Sequence, residues 1–216
     1  MDRLDLLQLH CPPRPVYEHD GVFDALDRFV AEGRIRRYGV SVETVEEALR
    51  ALERPNLSAI QIIYNVFRQK PAEAVLPRAQ ERGVAIVVRV PLASGLLTGK
   101  MSRESAFAAD DHRAFNRDGS AFDVGETFAG VPFEVGLDAV EELRGLVPEG
   151  ATMAQWALRW ILMEEAVSVV IPGARRPEQA RANAGAAEIG PLSPETMDAA
   201  RAVYLERIAP HVHHRW

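Results

Sequence analysis

Lysine is nearly absent from this chain: of its 25 basic residues only Lys70 and Lys100 are lysines. Cysteine is scarcer still, with Cys11 alone, so an internal disulfide framework is excluded. No apolar run approaches the roughly 18 residues that a membrane span requires. The opening Met1-Asp2-Arg3-Leu4 lacks the charged-then-apolar layout of a secretory signal. A basic surplus is missing too. The net charge of −6 argues against phosphate-backbone binding as the main task, because nucleic-acid binders carry a basic face. These absences predict a cytoplasmic protein with neither a nucleic-acid nor a membrane partner. What remains suits one globular domain: 216 residues, 47% hydrophobic and 26% charged, enough to bury a sizeable core.

Short apolar runs alternate with longer amphipathic ones. LDLLQLH (4–10) is too short for a helix, ends at Pro12-Pro13 and predicts a strand. In GVFDALDRFVAEGRI, Val22, Leu26, Phe29 and Val30 fall on one helical face and Gly33 supplies a stop. RYGVSV predicts a second strand followed by a helix over 43–52, and SAIQIIY a third followed by a helix over 71–82 with proline in its first turn. VAIVVRV (84–90) is apolar enough to be buried on both faces, as a parallel strand should be. A helix over 151–163 leads into a fifth strand, VSVVIP, and two helices, 177–187 and 194–208, follow.

Consecutive βα units imply a parallel sheet with right-handed crossovers. A doubly wound sheet would show a glycine-rich turn after its first strand; His-Cys-Pro-Pro stands there instead and favours a (β/α)8 TIM-type barrel. A barrel needs eight units. Five leave raw edges and an unfilled interior, so residues 1–216 read as one domain that is incomplete at its N-terminus by about three units, or about 100 residues. The edges predict self-association. Residues 101–133 form a long connection whose five phenylalanines argue against disorder and for packing over a site.

Barrel active sites lie at strand C-termini. That rule selects His10, Ser41, Gln61 with Tyr64 and Asn65, Arg89 with Pro91 and Leu92, and Gly173. In Gly173-Ala174-Arg175-Arg176-Pro177-Glu178-Gln179 two guanidinium groups precede a helix start, a form suited to a phosphate dianion. The glycines of PLASGLLTGK (91–100) would allow close backbone approach to a pyrophosphate.

LDLLQLHCPP, GRIRRYGVSV, QIIYN, VPLASGLLTGK and VIPGARRPEQARAN, in this order and spacing, resemble the aldo-keto reductases over essentially the whole chain. The resemblance implies NADPH-dependent reduction of an aldehyde or ketone, on strands 4 to 8 of the family's barrel. It makes His10 the catalytic histidine that orients the carbonyl, and Ser41 and Gln61 the partners of the nicotinamide carboxamide. Pro91, Leu92, Ser94, Gly95, Leu97 and Lys100 fall in the loop over the pyrophosphate. Gly173, Arg175, Gln179 and Asn183 fall in the adenosine 2′-phosphate and adenine site. No metal is implied.

The chain departs from the family at three places. Val42 replaces an asparagine beside Ser41, and Arg89 replaces an aromatic residue that stacks on the nicotinamide. A free guanidinium there would repel the oxidised ring, so NADPH is expected to bind more tightly than NADP⁺. The third departure touches the chemistry. The family's tyrosine proton donor, with its lysine and aspartate, comes from the first three barrel units, and Tyr17, Tyr38, Tyr64 and Tyr204 with Lys70 and Lys100 build no such constellation. The chain therefore reads as a fragment or mis-started form of a reductase. A non-catalytic module that binds NADPH or a partner, and one half of a split enzyme, are the alternatives. The substrate is not legible. HVHHRW reads as a structural or solvated tail, and Cys11 has no neighbour that would activate it.

Overall fold

A computed structural model describes residues 3–216. Five parallel strands, β1 (Leu4–His10), β2 (Ile35–Ser41), β3 (Leu57–Ile63), β4 (Ala85–Arg89) and β5 (Val167–Val170), form one sheet in the order β1-β2-β3-β4-β5. Spatial order equals sequence order. The sheet therefore has no switch point of the kind a doubly wound fold places at its ligand crevice.

Between β1 and β2 lie α1 (Pro15–Glu18) and α2 (Asp20–Ala31), then α3 (Val45–Leu52) and α4 (Pro71–Glu81) follow β2 and β3. After β4 come α5 (His112–Phe115), α6 (Phe133–Leu143) and α7 (Met153–Leu162); after β5 come α8 (Pro177–Ala184), α9 (Pro194–Val203) and α10 (Ala209–Val212). The helix starts are written in the sequence. Thr44 with Glu47 and Thr152 with Gln155 each close a reciprocal capping box that satisfies two orphan amides. Pro71, Pro177 and Pro194 occupy first-turn positions, where a missing N–H costs nothing.

Strand alternation sorts the sheet into two faces. Tyr38, Val40, Ile60, Ile62, Ile86 and Val88 are buried beneath the helices. Tyr38 donates its hydroxyl proton to Asp27 of α2 at 2.9 Å, locking that helix over β2. On the other face, Leu4 and Leu6 of β1, Val169 of β5 and Ile171 just beyond it are all exposed. At Gly39 of β2 the chains approach so closely that a Cβ would stand 3.0 Å from that of Ala59.

Two features depart from the sequence reading. The buried face of α2 is Phe23 and Leu26, whereas Val22 is exposed. Phe23 packs at tilted ring angles between Tyr17 and Tyr38, while Phe29 and Val30 pack partly buried against the core as their spacing predicts. Helix α6 was not anticipated; its Phe133, Leu137, Val140 and Leu143 are buried. The C-terminal tail takes the structural of its two readings. Val212 and Trp216 are buried, and Tyr204 and His213 share a hydrogen bond of 2.9 Å. Among the described residues no helix is long and apolar enough to cross a membrane.

Candidate functional site

His10, Ser41 and Gln61 end up in one lateral row. His10 pairs in register with Ser41 and Ser41 with Gln61, so three neighbouring strands deliver three polar side chains to the same face at the same height. His10 is exposed and Ser41 is buried. Gln61 Nε2 donates to Gln8 Oε1 at 3.2 Å. Cys11 stands just past the row, half-buried, its thiol donating to Glu43 Oε1 at 3.2 Å. Burial pushes its pKa up to about 11, which keeps it a thiol and a poor nucleophile at neutral pH.

Arg89 is the residue whose role changes most. Sequence reasoning left its guanidinium free to stack on a ligand ring; the structure corrects this. Nη2 donates to the Val42 carbonyl oxygen at 2.9 Å and lies 3.0 Å from Glu43 Oε2, and Nη1 pairs with Glu126. Two carboxylates offset its positive charge, so the expected repulsion of an oxidised nicotinamide loses its source. Burial raises the Glu126 pKa above the ordinary carboxylate value despite the attraction of Arg89.

At the same end of the sheet, past β4 and β5, opens a cleft of about 1190 Å³, against about 610 Å³ for the cleft at the opposite strand ends; His10, Ser41 and Gln61 are not among its lining residues. Pro91, Leu92, Ser94 and Gly95 line one side, and Gly173, Arg175 and Gln179 another. The 101–133 segment supplies Phe107, His112 and Glu126. Its aromatics hold it in place: Phe107 packs on Phe128 and, edge-on, on Phe133. Ser94 fastens the segment to the cleft. Its hydroxyl donates to the Glu126 carbonyl oxygen at 2.9 Å, accepts from the Phe128 amide at 3.1 Å, and lies 3.3 Å from His112 Nε2.

Backbone strain concentrates at this end of the sheet. Cys11 (φ 44°), Val90 (φ 50°), Ala93 (φ 47°) and Ser94 (φ 52°) follow β1 and β4, and Phe128 and Ala129 lie in the segment fastened to Ser94. Each such residue costs about 1–3 kcal/mol, and residues of this kind gather at ligand sites.

On the far wall Gln179 Oε1 accepts from the Arg175 and Arg176 amides at 2.8 and 3.1 Å, fixing the entry to α8. Asn183 Nδ2 donates to the Gly173 carbonyl oxygen at 3.2 Å and ties the helix back to the turn. Both guanidinium groups remain exposed. Leu97 and Lys100 lie outside the cleft: Leu97 is buried in the core and Lys100 is on the surface.

The four tyrosines are all engaged elsewhere. Tyr17 packs on Phe23, Tyr38 binds Asp27, Tyr64 lies against Trp160, and Tyr204 binds His213. Burial raises the pKa of every one of them, so none is a ready proton donor beside His10. His112, Glu43, Glu126 and Arg68 were not singled out from the sequence. A buried arginine implies a carboxylate partner, but the spacing along the chain gave no means of naming Glu126.

Comparison with known proteins gives this arrangement a context. The model of the aldo/keto reductase family matches residues 1–205. The chain is 32% identical over 183 residues to aldo-keto reductase YhdN of Bacillus subtilis, covering 84% of this chain and 52% of that protein. The glycerol dehydrogenase AKR11B4 of Gluconobacter oxydans superposes with a TM-score of 0.75 at 28% identity, over 98% of this chain and 60% of that one. The holo form of aldo-keto reductase AKR11C1 from Bacillus halodurans superposes at 0.69 with 27% identity, over 94% and 62%. The chain thus spans between half and two thirds of the length of these proteins. With its parallel α/β sheet and a family match over nearly its whole length, this chain belongs to the aldo/keto reductase family.

Proposed function

We propose that this chain forms the cofactor-holding part of an NADPH-dependent reductase that converts an aldehyde or ketone to an alcohol. The observation that carries the reading is that the register-aligned row His10, Ser41 and Gln61, on β1 to β3, and the 1190 Å³ cleft, past β4 and β5, lie at the same C-terminal end of the sheet. Its five strands would then be strands 4 to 8 of the family's eight-stranded barrel.

The cleft fits the dinucleotide. Its volume is at or above the usual range for small-ligand sites, and Gly95, at φ 102°, allows backbone to approach a pyrophosphate. Of the three acids lining it, Asp111 is paired with Arg113 and Glu126 with Arg89, leaving Asp110 alone without an ion pair among the described residues. Bound NADPH would supply the hydride. Ser41 and Gln61 would hold the nicotinamide carboxamide and so choose the ring face presented to the substrate. Pro91, Leu92, Ser94 and Gly95 would flank the pyrophosphate. Arg175, at the turn that Gln179 and Asn183 brace, would take the 2′-phosphate by charge-assisted hydrogen bonds. His10 would orient the carbonyl oxygen.

Proton donation is the step these residues do not supply. A tyrosine, lysine and aspartate from outside these 216 residues, on the same polypeptide or another, would complete the site. The exposed Leu4, Leu6, Val169 and Ile171 support the same reading, because they are the apolar side chains that further strands would cover. Left uncovered, they favour self-association. A cytoplasmic location accords with an NADPH-dependent reductase.

Titration of the protein with NADPH and NADH, followed by cofactor fluorescence, tests the reading. Saturable NADPH binding at least tenfold tighter than NADH binding is expected, with carbonyl reduction appearing only when a polypeptide carrying the three remaining residues is present. Absence of binding by either dinucleotide, in a protein whose melting is cooperative, overturns it.

A further inference from the structure

Trp216 sits at a junction that the cofactor reading does not use. Its ring is 6% exposed and lies with its centroid 3.6 Å from the guanidinium carbon of Arg68. Its Nε1 donates to Asp123 Oδ2 at 3.4 Å. Two glycines of the 101–133 segment press against it. A Cβ on Gly130 would collide with the indole, and one on Gly125 would stand 3.1 Å from it. Gly130 also has φ +80°, which only glycine adopts easily.

Arg68 is as unusual as its partner. It is 3% exposed, and burial lowers its pKa to about 9. Nη2 donates to the Glu43 carbonyl oxygen at 2.8 Å, while Nη1 has no hydrogen-bond partner among the described residues. The face of Trp216 is what such a desolvated cation has in place of water. Trp216 therefore fills the gap between the β3–α4 loop and residues 123–130, and touches both.

From there a short chain of contacts reaches the cleft. Asp123 Oδ1 accepts from the Gly125 amide at 2.7 Å and fixes the turn that delivers Glu126. The Glu126 carboxylate pairs with Arg89 and its carbonyl oxygen accepts from Ser94 at 2.9 Å. Both Ser94 and Glu126 line the cleft.

We infer that Trp216 is a positioning residue for the cleft: its indole clamps residues 123–130 against Arg68 and so sets how long a bound dinucleotide is retained. This rests on the dinucleotide reading of the cleft. The clamp itself is mechanical and has a readout of its own.

Three proteins decide it: the native chain, Trp216→Ala and Trp216→Phe. Amide exchange is followed across the chain, and NADPH dissociation is timed by stopped flow. In Trp216→Ala, exchange within residues 116–130 is expected to speed up by about tenfold or more while β2, β3 and α4 stay protected, and NADPH is expected to leave about tenfold faster with its association rate little changed. Trp216→Phe keeps an aromatic face over Arg68 and is expected to restore most of both effects. Unchanged exchange in 116–130, or exchange rising equally everywhere, overturns the clamp. So does a dissociation rate that the substitution leaves unaltered. Local loosening in Trp216→Ala with no NADPH binding by any of the three proteins upholds the clamp and overturns the cofactor reading instead.

Discussion

Arg89 Nη2 lies 3.0 Å from Glu43 Oε2, an ion pair between a residue at the end of β4 and one just past β2. Glu126 completes the cluster from the 101–133 segment. The Arg89 side chain is 9% exposed and the two carboxylates 20% and 28%, so all three charges are largely removed from water. Removing the cation strands two buried anions. Arg89→Met is expected to cost about 3–5 kcal/mol of unfolding free energy, measured by denaturant titration at pH 7. A cost below about 1 kcal/mol would mean that the cluster is solvated and the pairing incidental.

Glu126 gives this cluster a pH dependence whose sign is fixed. Desolvation raises its carboxyl pKa in the folded chain above the unfolded value, outweighing the attraction of Arg89. The folded state then binds more protons between the two pKa values, so stability falls as pH rises through the folded pKa. Relative to Glu126→Gln, the native chain should lose stability on going from acid towards neutral pH. Parallel stability–pH curves for the two proteins would rule this out.

Gly39 and Ala59 pack with no room for a side chain between them. The Cβ of Gly39→Ala would meet the backbone and side chain of Ala59, neither of which can swing aside. A loss of about 1–3 kcal/mol is expected. Because Gly39 is two residues before Ser41 on the same face, NADPH affinity should fall as well. Thermal melts and dinucleotide titration read the two effects separately.

The Arg175 side chain is exposed and its guanidinium makes no hydrogen bond or ion pair among the described residues, while its backbone bond to Gln179 survives substitution, so replacing it isolates binding. Arg175→Ala is expected to weaken NADPH binding by about tenfold or more, the loss of one charge-assisted contact. NADH affinity and melting temperature should stay where they were. An equal loss for both dinucleotides would place Arg175 somewhere other than the 2′-phosphate.

Val169 and Ile171 test the open face. Both are exposed at the β5 edge, as Leu4 and Leu6 are at β1. The double substitution Val169→Thr, Ile171→Thr should shift sedimentation of the isolated chain towards monomer. A native chain that is monomeric at every concentration tested would remove the premise.

Much of this could be read along the chain. Strand and helix periods, proline at helix starts and the two capping boxes are local, set by neighbours within four residues, so the βα rhythm was visible from Leu4 to β5. The residues proposed for the cofactor were legible because each stands at a strand end or a helix entry that such signals mark. On α2 the stripe of Leu26, Phe29 and Val30 was legible, but the inward place of Phe23 was not, because its partners are Tyr17 and Tyr38 and not residues of its own helix.

What the sequence by itself determined is the alternation of strand and helix, and with it a parallel sheet whose strand C-termini carry His10, Ser41 and Gln61; the register that sets them in one row came from the packed sheet. Only tertiary structure decided the partners of the buried charges. Arg89 meets Glu126, and Arg68 meets Trp216, across separations that no period spans. The physical reason is that desolvated charges and aromatic faces are satisfied by whatever the packing brings near. Proximity of that kind is a property of the folded chain and leaves no regular mark on its order.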